Sequence, residues 1–288
     1  MDASTHEAIL LVGHGSPNPE GNVEFLELAR MASATMPGRV VQPCFIEFAE
    51  PELAEGFDRC VAAGARRVIV APVILFAAGH LKGDIPEALT VARARHPGIE
   101  FLSAQHVGLH PRLVGLAGER AAEAIDGQAD ETALLVVGRG SSDPDANSDL
   151  CKVARLVWEG RQTRIAEVAF IGVTQPDVPE GLRRCAALGA RRIVVLPYFL
   201  FTGVLIPRLR SIAAAFAEAH PGLSVRVAPY LGPHPGLVQA LIERVDGAAR
   251  DAGVARQALV AASPAPGRSE GEGAGRDGEG RWASERSS

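Results

Sequence analysis

Two histidines and a glutamate stand out along this chain of 288 residues. His14 lies in GHGS, directly after the apolar run ILLV, with glycines at 13 and 15 that free the backbone for a tight turn. Glu47 lies in CFIEFAEP and His80 in LFAAGHLKGDIP, each just past an apolar run of its own. Neutral imidazole ligates a first-row metal or accepts a proton near pH 7. Two imidazoles and a carboxylate would leave coordination positions open on a divalent ion. Glu50 is a nearby substitute for Glu47, although its place before Pro51 equally suits the positive end of a helix. Ser16 caps or lines the start of the element after the turn, and it is expected among the substrate-binding residues. GHGS lacks both the GxGxxG spacing of a dinucleotide fingerprint and the GxSxG of a hydrolase elbow.

The elements that must position these residues come from an internal repeat. ILLVGHGS at 9–16 returns as LLVVGRGS at 134–141, and CVAAGARRVIVAP at 60–72 as CAALGARRIVVLP at 185–197. His14 and Arg139, Glu47 and Gly172, and Gly64 and Gly189 are each 125 positions apart. By the HPG turns at 96–98 and 220–222 the offset is 124, so one residue is lost between. The expected domains are 1–127 and 131–250. In the first, Ala8–Val12, Val40–Ile46, Arg67–Leu75 and Ile99–Ser103 read as strands, apolar throughout as in parallel sheets covered on both faces. Asn22–Met36, Pro51–Ala63, Ile85–Arg95 and Pro111–Ala124 read as helices, with Pro51 and Pro111 in first turns and Gly64 as a C-terminal stop. Strand alternating with helix predicts an α/β fold of two similar halves, each a parallel sheet flanked by helices. In such sheets the strand carboxyl ends, where all three residues fall, form the ligand edge.

The repeat also serves as a control. The second copy keeps the scaffold (Gly138, Pro176, Gly189, Pro197) but has Arg139 for His14, Gly172 for Glu47 and Leu205 for His80. Three polar groups lost together from a retained scaffold point to function rather than fold. His96 and His220 share one HPG turn, and His110 and His234 share one HP step, so these four read as structural. His106, whose mate is Tyr230, is left open by this comparison, and His6 belongs to the N-terminal tail.

Composition narrows the rest. A net charge of -5 gives no general attraction to nucleic acid. Cys44, Cys60, Cys151 and Cys185 show no CxxC spacing and read as reduced, half-buried residues rather than a thiolate metal site. The opening residues are too soon polar for a signal peptide, and no apolar run approaches the roughly 20 residues of a membrane span, so a cytoplasmic protein is expected. From Ser263 the chain is Gly, Ser, Glu and Arg with almost nothing to bury, which predicts a disordered tail over 263–288.

In order and spacing, GHGS, FIEFAEP and LFAAGHLKGDIP resemble the sirohydrochlorin chelatase family, in particular its two-domain cobaltochelatases. The resemblance covers about residues 7–250. It implies a tetrapyrrole bound in the cleft between two similar halves, with the family's active-site histidines at His14 and His80 and its metal-binding glutamate at Glu47. It implies no permanently bound cofactor and no nucleotide, with Co2+, or else Fe2+ or Ni2+, as substrate metal. Short relatives pair as homodimers, so a chain carrying both halves is expected to be monomeric. Arg139 should then face the cleft opposite His14 and, with Lys82, Arg208 and Arg210, bind the carboxylates of sirohydrochlorin. The expected activity is cobalt insertion on the route to cobalamin. The alternatives are iron insertion for sirohaem and a metal or tetrapyrrole carrier without turnover. A periplasmic binding protein is disfavoured by the missing signal peptide.

Overall fold

Strands that are apolar at every position must be covered on both faces, and the chain supplies that cover twice. A computed structural model describes residues 6–77, 79–161 and 163–262, except the side chains of 80, 81 and 256–262. The first sheet joins β1 (Glu7–Gly13), β2 (Val40–Phe45), β3 (Arg67–Pro72) and β4 (Glu100–Ser103) in the order β2-β1-β3-β4. The second joins β5 (Thr132–Gly138), β6 (Ile165–Phe170), β7 (Arg192–Pro197) and β8 (Ser224–Val227) in the order β6-β5-β7-β8. All six pairings are parallel and their registers correspond: Gly13 lies beside Phe45 as Gly138 lies beside Phe170. The α/β fold with two helix-flanked parallel sheets is as the sequence led us to expect.

Alternate residues of β1 face opposite layers, as the pleat requires. Ala8, Leu10 and Val12 join α2 (Leu53–Ala62) and α4 (Asp84–Arg95) in an outer core. Ile9 and Leu11 join a central core with α1 (Pro19–Thr35) and α5 (Pro111–Ala124). That central core also takes in Leu134 and Val136 of β5, together with α6 (Pro144–Glu159) and residues 237–245 of α9 (Pro235–Ala262). The outer face of the second sheet is covered by α7 (Val178–Ala187) and α8 (Leu205–Ala219). The two repeats therefore share one middle layer, and the described residues up to Ala252 form one compact unit.

Local chemistry explains most element boundaries. Asn18 and Asp143 cap α1 and α6 by accepting from the backbone N–H two residues on. His110 does the same for α5 through Arg112 N, and His234 for α9 through Gly236 N. His96 and His220 are the C-caps of α4 and α8, held by Asp58 and by the Phe216 carbonyl. Gly64 takes φ +86 just past α2. Two expectations are corrected. Pro51 is not in the first turn of α2, which begins at Leu53; it follows a cis peptide, as does Pro176, and its carbonyl accepts from Phe45 N. β3 stops at Pro72 rather than Leu75: Val73 N still donates to Val12 O, and the chain then leaves the ladder and bends at residues 75 and 76.

The lost residue falls between β3 and β4. There the first repeat folds as a separate turn α3 (Gly79–Lys82), which carries His80, and then α4, while the second runs straight into α8. All four cysteines are free; Cys44, Cys60 and Cys185 are fully buried rather than half-buried, and Cys151 is exposed. Burial pushes the Cys60 and Cys185 thiols up to about 12. The tail expected over 263–288 lies outside the described residues, and among the described residues no helix is long and apolar enough to cross a membrane.

The outer helices lie close on their sheets. A Cβ at Gly181 of α7 would meet Ala169 Cβ at 2.7 Å, and one at Gly56 of α2 would meet Cys44 Cβ at 2.8 Å. Alanine relieves the ~1 kcal/mol cost of a helical glycine, but overpacking costs ~1–3 kcal/mol. Gly181→Ala is thus expected to lose about 1 kcal/mol, read from the urea midpoint. Unchanged stability would mean that α7 lifts from the sheet freely.

Candidate active site

The order β2-β1-β3-β4 opens a crevice at the carboxyl edge, because α1 leaves β1 toward the middle layer while α4 follows β3 on the outer face. His14 is the first residue after β1. The ladder with β2 continues past the strand ends: Ile46 N donates to Gly13 O at 3.0 Å and Glu47 N to His14 O at 3.1 Å. This brings Glu47 beside His14. Gly15 makes the approach possible, with φ +88 and the Glu47 carbonyl oxygen 1.7 Å from where a Cβ would stand. His14 Nδ1 then lies 3.1 Å from Gly15 O and 3.4 Å from Glu47 Oε1. Two acceptors at Nδ1 favour the tautomer protonated there, which puts the neutral ring's lone pair on Nε2. Both side chains keep about a third of their surface, 33% and 37%, while the His14 Nε2 atom itself is buried.

His14 stands where two cavities meet. One, of about 510 Å3, is lined by His14, Ser16, Glu47, Phe48, Phe201 and Val204 among others. The other, of about 730 Å3, is lined by His14, Arg139, Ser142, Asn147, Val173 and Tyr198 among others. Arg139 borders both. Their linings correspond through the repeat: Gly13, Phe25, Phe45 and Phe48 of the smaller match Gly138, Leu150, Phe170 and Val173 of the larger. The cleft is thus two related half-sites, one bearing the His14–Glu47 pair and the other an arginine. Both volumes suit a substantial organic ligand. Among the described residues, no carboxylate is found in ion-pair range of Arg139.

The remaining candidates divide. Ser16 lines the smaller cavity, but its Oγ accepts from Asn18 N and its backbone is clasped by the Asn22 side chain. Ser141 makes the same bonds with Asp143 and Asn147, so these bonds are part of the scaffold common to both halves. Lys82 lines neither cavity; its Nζ pairs with Asp143 at 2.5 Å and Asp145 at 3.3 Å, linking α3 to the start of α6. Those carboxylates raise its pKa and make it a tie between the halves rather than an available cation. Arg208 and Arg210 are exposed on α8 and line neither cavity. His80 sits on α3 at the cavity edge beside Gly79, and its side chain lies outside the described residues. Among the described residues no three His, Cys, Asp or Glu side chains form a group that could hold a metal ion; His14 and Glu47 meet as a pair.

One residue escaped the sequence reading. Phe48 has φ +64, a left-handed backbone that costs a bulky residue ~1–3 kcal/mol. The residue is 60% exposed, and its ring lies 6.5 Å from the His14 ring at 21° between planes. FIEFAEP against FIGVTQP at 170–176 held the signal, since Phe48 faces Val173 in that comparison, but an apolar-for-apolar exchange drew no notice.

The CbiX family model matches residues 8–124 and again 133–248. The chain belongs to the CbiX family. Sirohydrochlorin cobaltochelatase of Priestia megaterium is 42% identical over 244 residues, covering 83% of this chain and 79% of the relative. Sirohydrochlorin ferrochelatase of the same organism is 31% identical over 240 residues, covering 83% and 89%. Among solved structures, the sirohydrochlorin chelatase SirB of Bacillus subtilis subspecies spizizenii, in complex with cobalt, aligns with a TM-score of 0.74 at 29% identity. That alignment covers 86% of this chain and 97% of SirB.

The paired loops of this CbiX chain can be tested through Gly15 and its mate Gly140, at φ +88 and +84. A methyl at 140 meets the Thr174 methyl at 2.9 Å, whereas one at 15 meets the Glu47 carbonyl. Both alanines bear the ~1–2 kcal/mol left-handed cost. Gly15→Ala is expected to lose clearly more stability than Gly140→Ala by denaturant midpoint, and equal losses would contradict the packing of Glu47 over Gly15.

Proposed function

We propose that this protein inserts a divalent metal, Co2+ foremost, into sirohydrochlorin, without a nucleotide. The observation that carries the reading is the His14–Glu47 pair, present in one half-site of a two-part cleft and replaced by Arg139 and Gly172 in the other. Cobalt is favoured over iron by the higher identity to the cobaltochelatase relative, 42% against 31%. Iron insertion is the second reading, since the ferrochelatase relative also matches along most of its length.

The residues suit the reaction. Metal insertion expels two pyrrole N–H protons as the cation arrives. His14, with Nδ1 directed at Gly15 O and Glu47 and with Nε2 buried, supplies an imidazole that can act as ligand or proton acceptor. Glu47 offsets positive charge as the ring is protonated or meets the metal, and it can pass a proton outward. His80, on the turn beside the larger cavity, is the third member of this set. Arg139 borders both cavities and is placed to pair with substrate carboxylates in a forked geometry. Lys82, Arg208 and Arg210 are left out of that role. The shared middle layer supports a monomer carrying its own pseudo-dimer, and we read the cytoplasm as its place of action.

The test follows the absorbance of sirohydrochlorin with Co2+, Fe2+ or Ni2+ over many turnovers. His14→Ala and His80→Ala are each expected to lower kcat/KM by about 10²-fold or more, and Glu47→Gln by a similar factor. Rates equal to wild type would sink the site, and one equivalent of bound metal without turnover would mark a carrier. Separately, Arg139→Ala is expected to raise KM for sirohydrochlorin about tenfold with kcat little changed. An unaltered KM would remove Arg139 from the substrate site.

A further inference from the structure

Resting on the chelatase reading above, we propose that the Phe48 ring is the platform on which one face of the macrocycle lies, setting the tetrapyrrole over the His14–Glu47 half-site. Phe48 directly follows Glu47 and lines the same 510 Å3 cavity. Its ring centroid lies 6.5 Å from that of the His14 imidazole, so a flat ligand resting on the phenyl face is held beside the His14 side chain. The residue is 60% exposed, so packing in the protein does not account for an aromatic there.

The backbone points the same way. If position 48 served only to turn the chain after Glu47, glycine would hold φ +64 without strain. A bulky residue kept in that conformation and left open to solvent marks a functional constraint. The other half-site is the control. Val173 occupies the equivalent place at 75% exposure, lines the larger cavity, and has no left-handed backbone; Phe48 is the one non-glycine with positive φ among the described residues. The preceding bond is common to both halves, from Ile46 N to Gly13 O and from Ile171 N to Gly138 O. The departure therefore begins at the residues that differ, Glu47 and Phe48. Across the smaller cavity the second repeat presents Val204, also exposed at 65%, as an apolar rim facing the same space. A conjugated macrocycle with apolar faces and a carboxylate periphery matches an aromatic platform and an aliphatic rim, with Arg139 at the border of both cavities for its edge. Aromatic faces attract such a ligand in offset stacking.

Metal-free sirohydrochlorin is titrated into wild type, Phe48→Leu, Phe48→Gly and Phe48→Trp by fluorescence, and insertion kinetics are run on the same proteins. Phe48→Leu and Phe48→Gly are expected to bind about five- to tenfold more weakly, with KM raised by the same factor and kcat within about twofold. Phe48→Trp is expected to restore wild-type binding, and circular dichroism to show an intact fold in all three. Wild-type affinity in Phe48→Leu and Phe48→Gly, or a tryptophan variant as weak as the leucine one, would overturn the platform. No binding of sirohydrochlorin by wild type would instead overturn the chelatase reading and the platform with it.

Discussion

The site depends on one close approach, in which the Glu47 carbonyl lies where a side chain at residue 15 would otherwise be. Parallel strands normally part at their carboxyl ends, and the loops beyond them diverge. Here the ladder between β1 and β2 continues two bonds further, through Ile46 and Glu47. That extension carries a carboxylate from one strand end to an imidazole on the next. The left-handed Gly15 admits the carbonyl, and the left-handed Phe48 follows it at once. The second repeat makes the first of the two bonds and puts Gly172 at the next position, so its carboxyl edge stays plain.

The middle layer gives this edge its rigidity. Side chains of α1, α5, α6 and α9 fill a single core between the sheets. Polar ties reach across as well. Glu24 of α1 accepts from Thr202 N and from the Tyr230 hydroxyl, and Lys82 pairs with Asp143 and Asp145. An exposed ion pair such as that of Lys82 contributes little to stability, whereas the Glu24 bonds are part-buried, and together these ties fix which loops of one repeat lie against which helix of the other. The cleft walls are consequently made by both repeats, with Phe199 of the second bordering the same space as His14 of the first.

Much of this was legible in the sequence. The two sheets could be read because β-branched apolar runs recur at a constant offset, and the His14–Glu47 partnership because the second copy lacks both residues. What escaped had physical reasons. Phe48 exchanges with Val173, one apolar residue for another, and nothing in a sequence separates an exposed ring from a buried one. Lys82 was expected to meet substrate carboxylates, whereas the carboxylates it pairs with belong to the protein and lie 61 and 63 positions away in sequence. Ser16 lines the smaller cavity and at the same time closes the turn, its Oγ accepting from Asn18 N, a second duty that its place in the sequence does not reveal. Pro51 looked like a helix-starting proline, and a cis bond leaves no mark on composition.

The unequal half-sites bear on stoichiometry under the proposed reading. A single macrocycle has room for one metal. A twofold-symmetric cleft would offer two identical stations for the cation, and occupation of the wrong one would block the face that the ring must approach. Joining the repeats in one chain lets Arg139 replace the second station, so an ion arriving from solution meets a repelling charge there and an accepting pair at His14 and Glu47. Each cleft then takes up one cation for each ring.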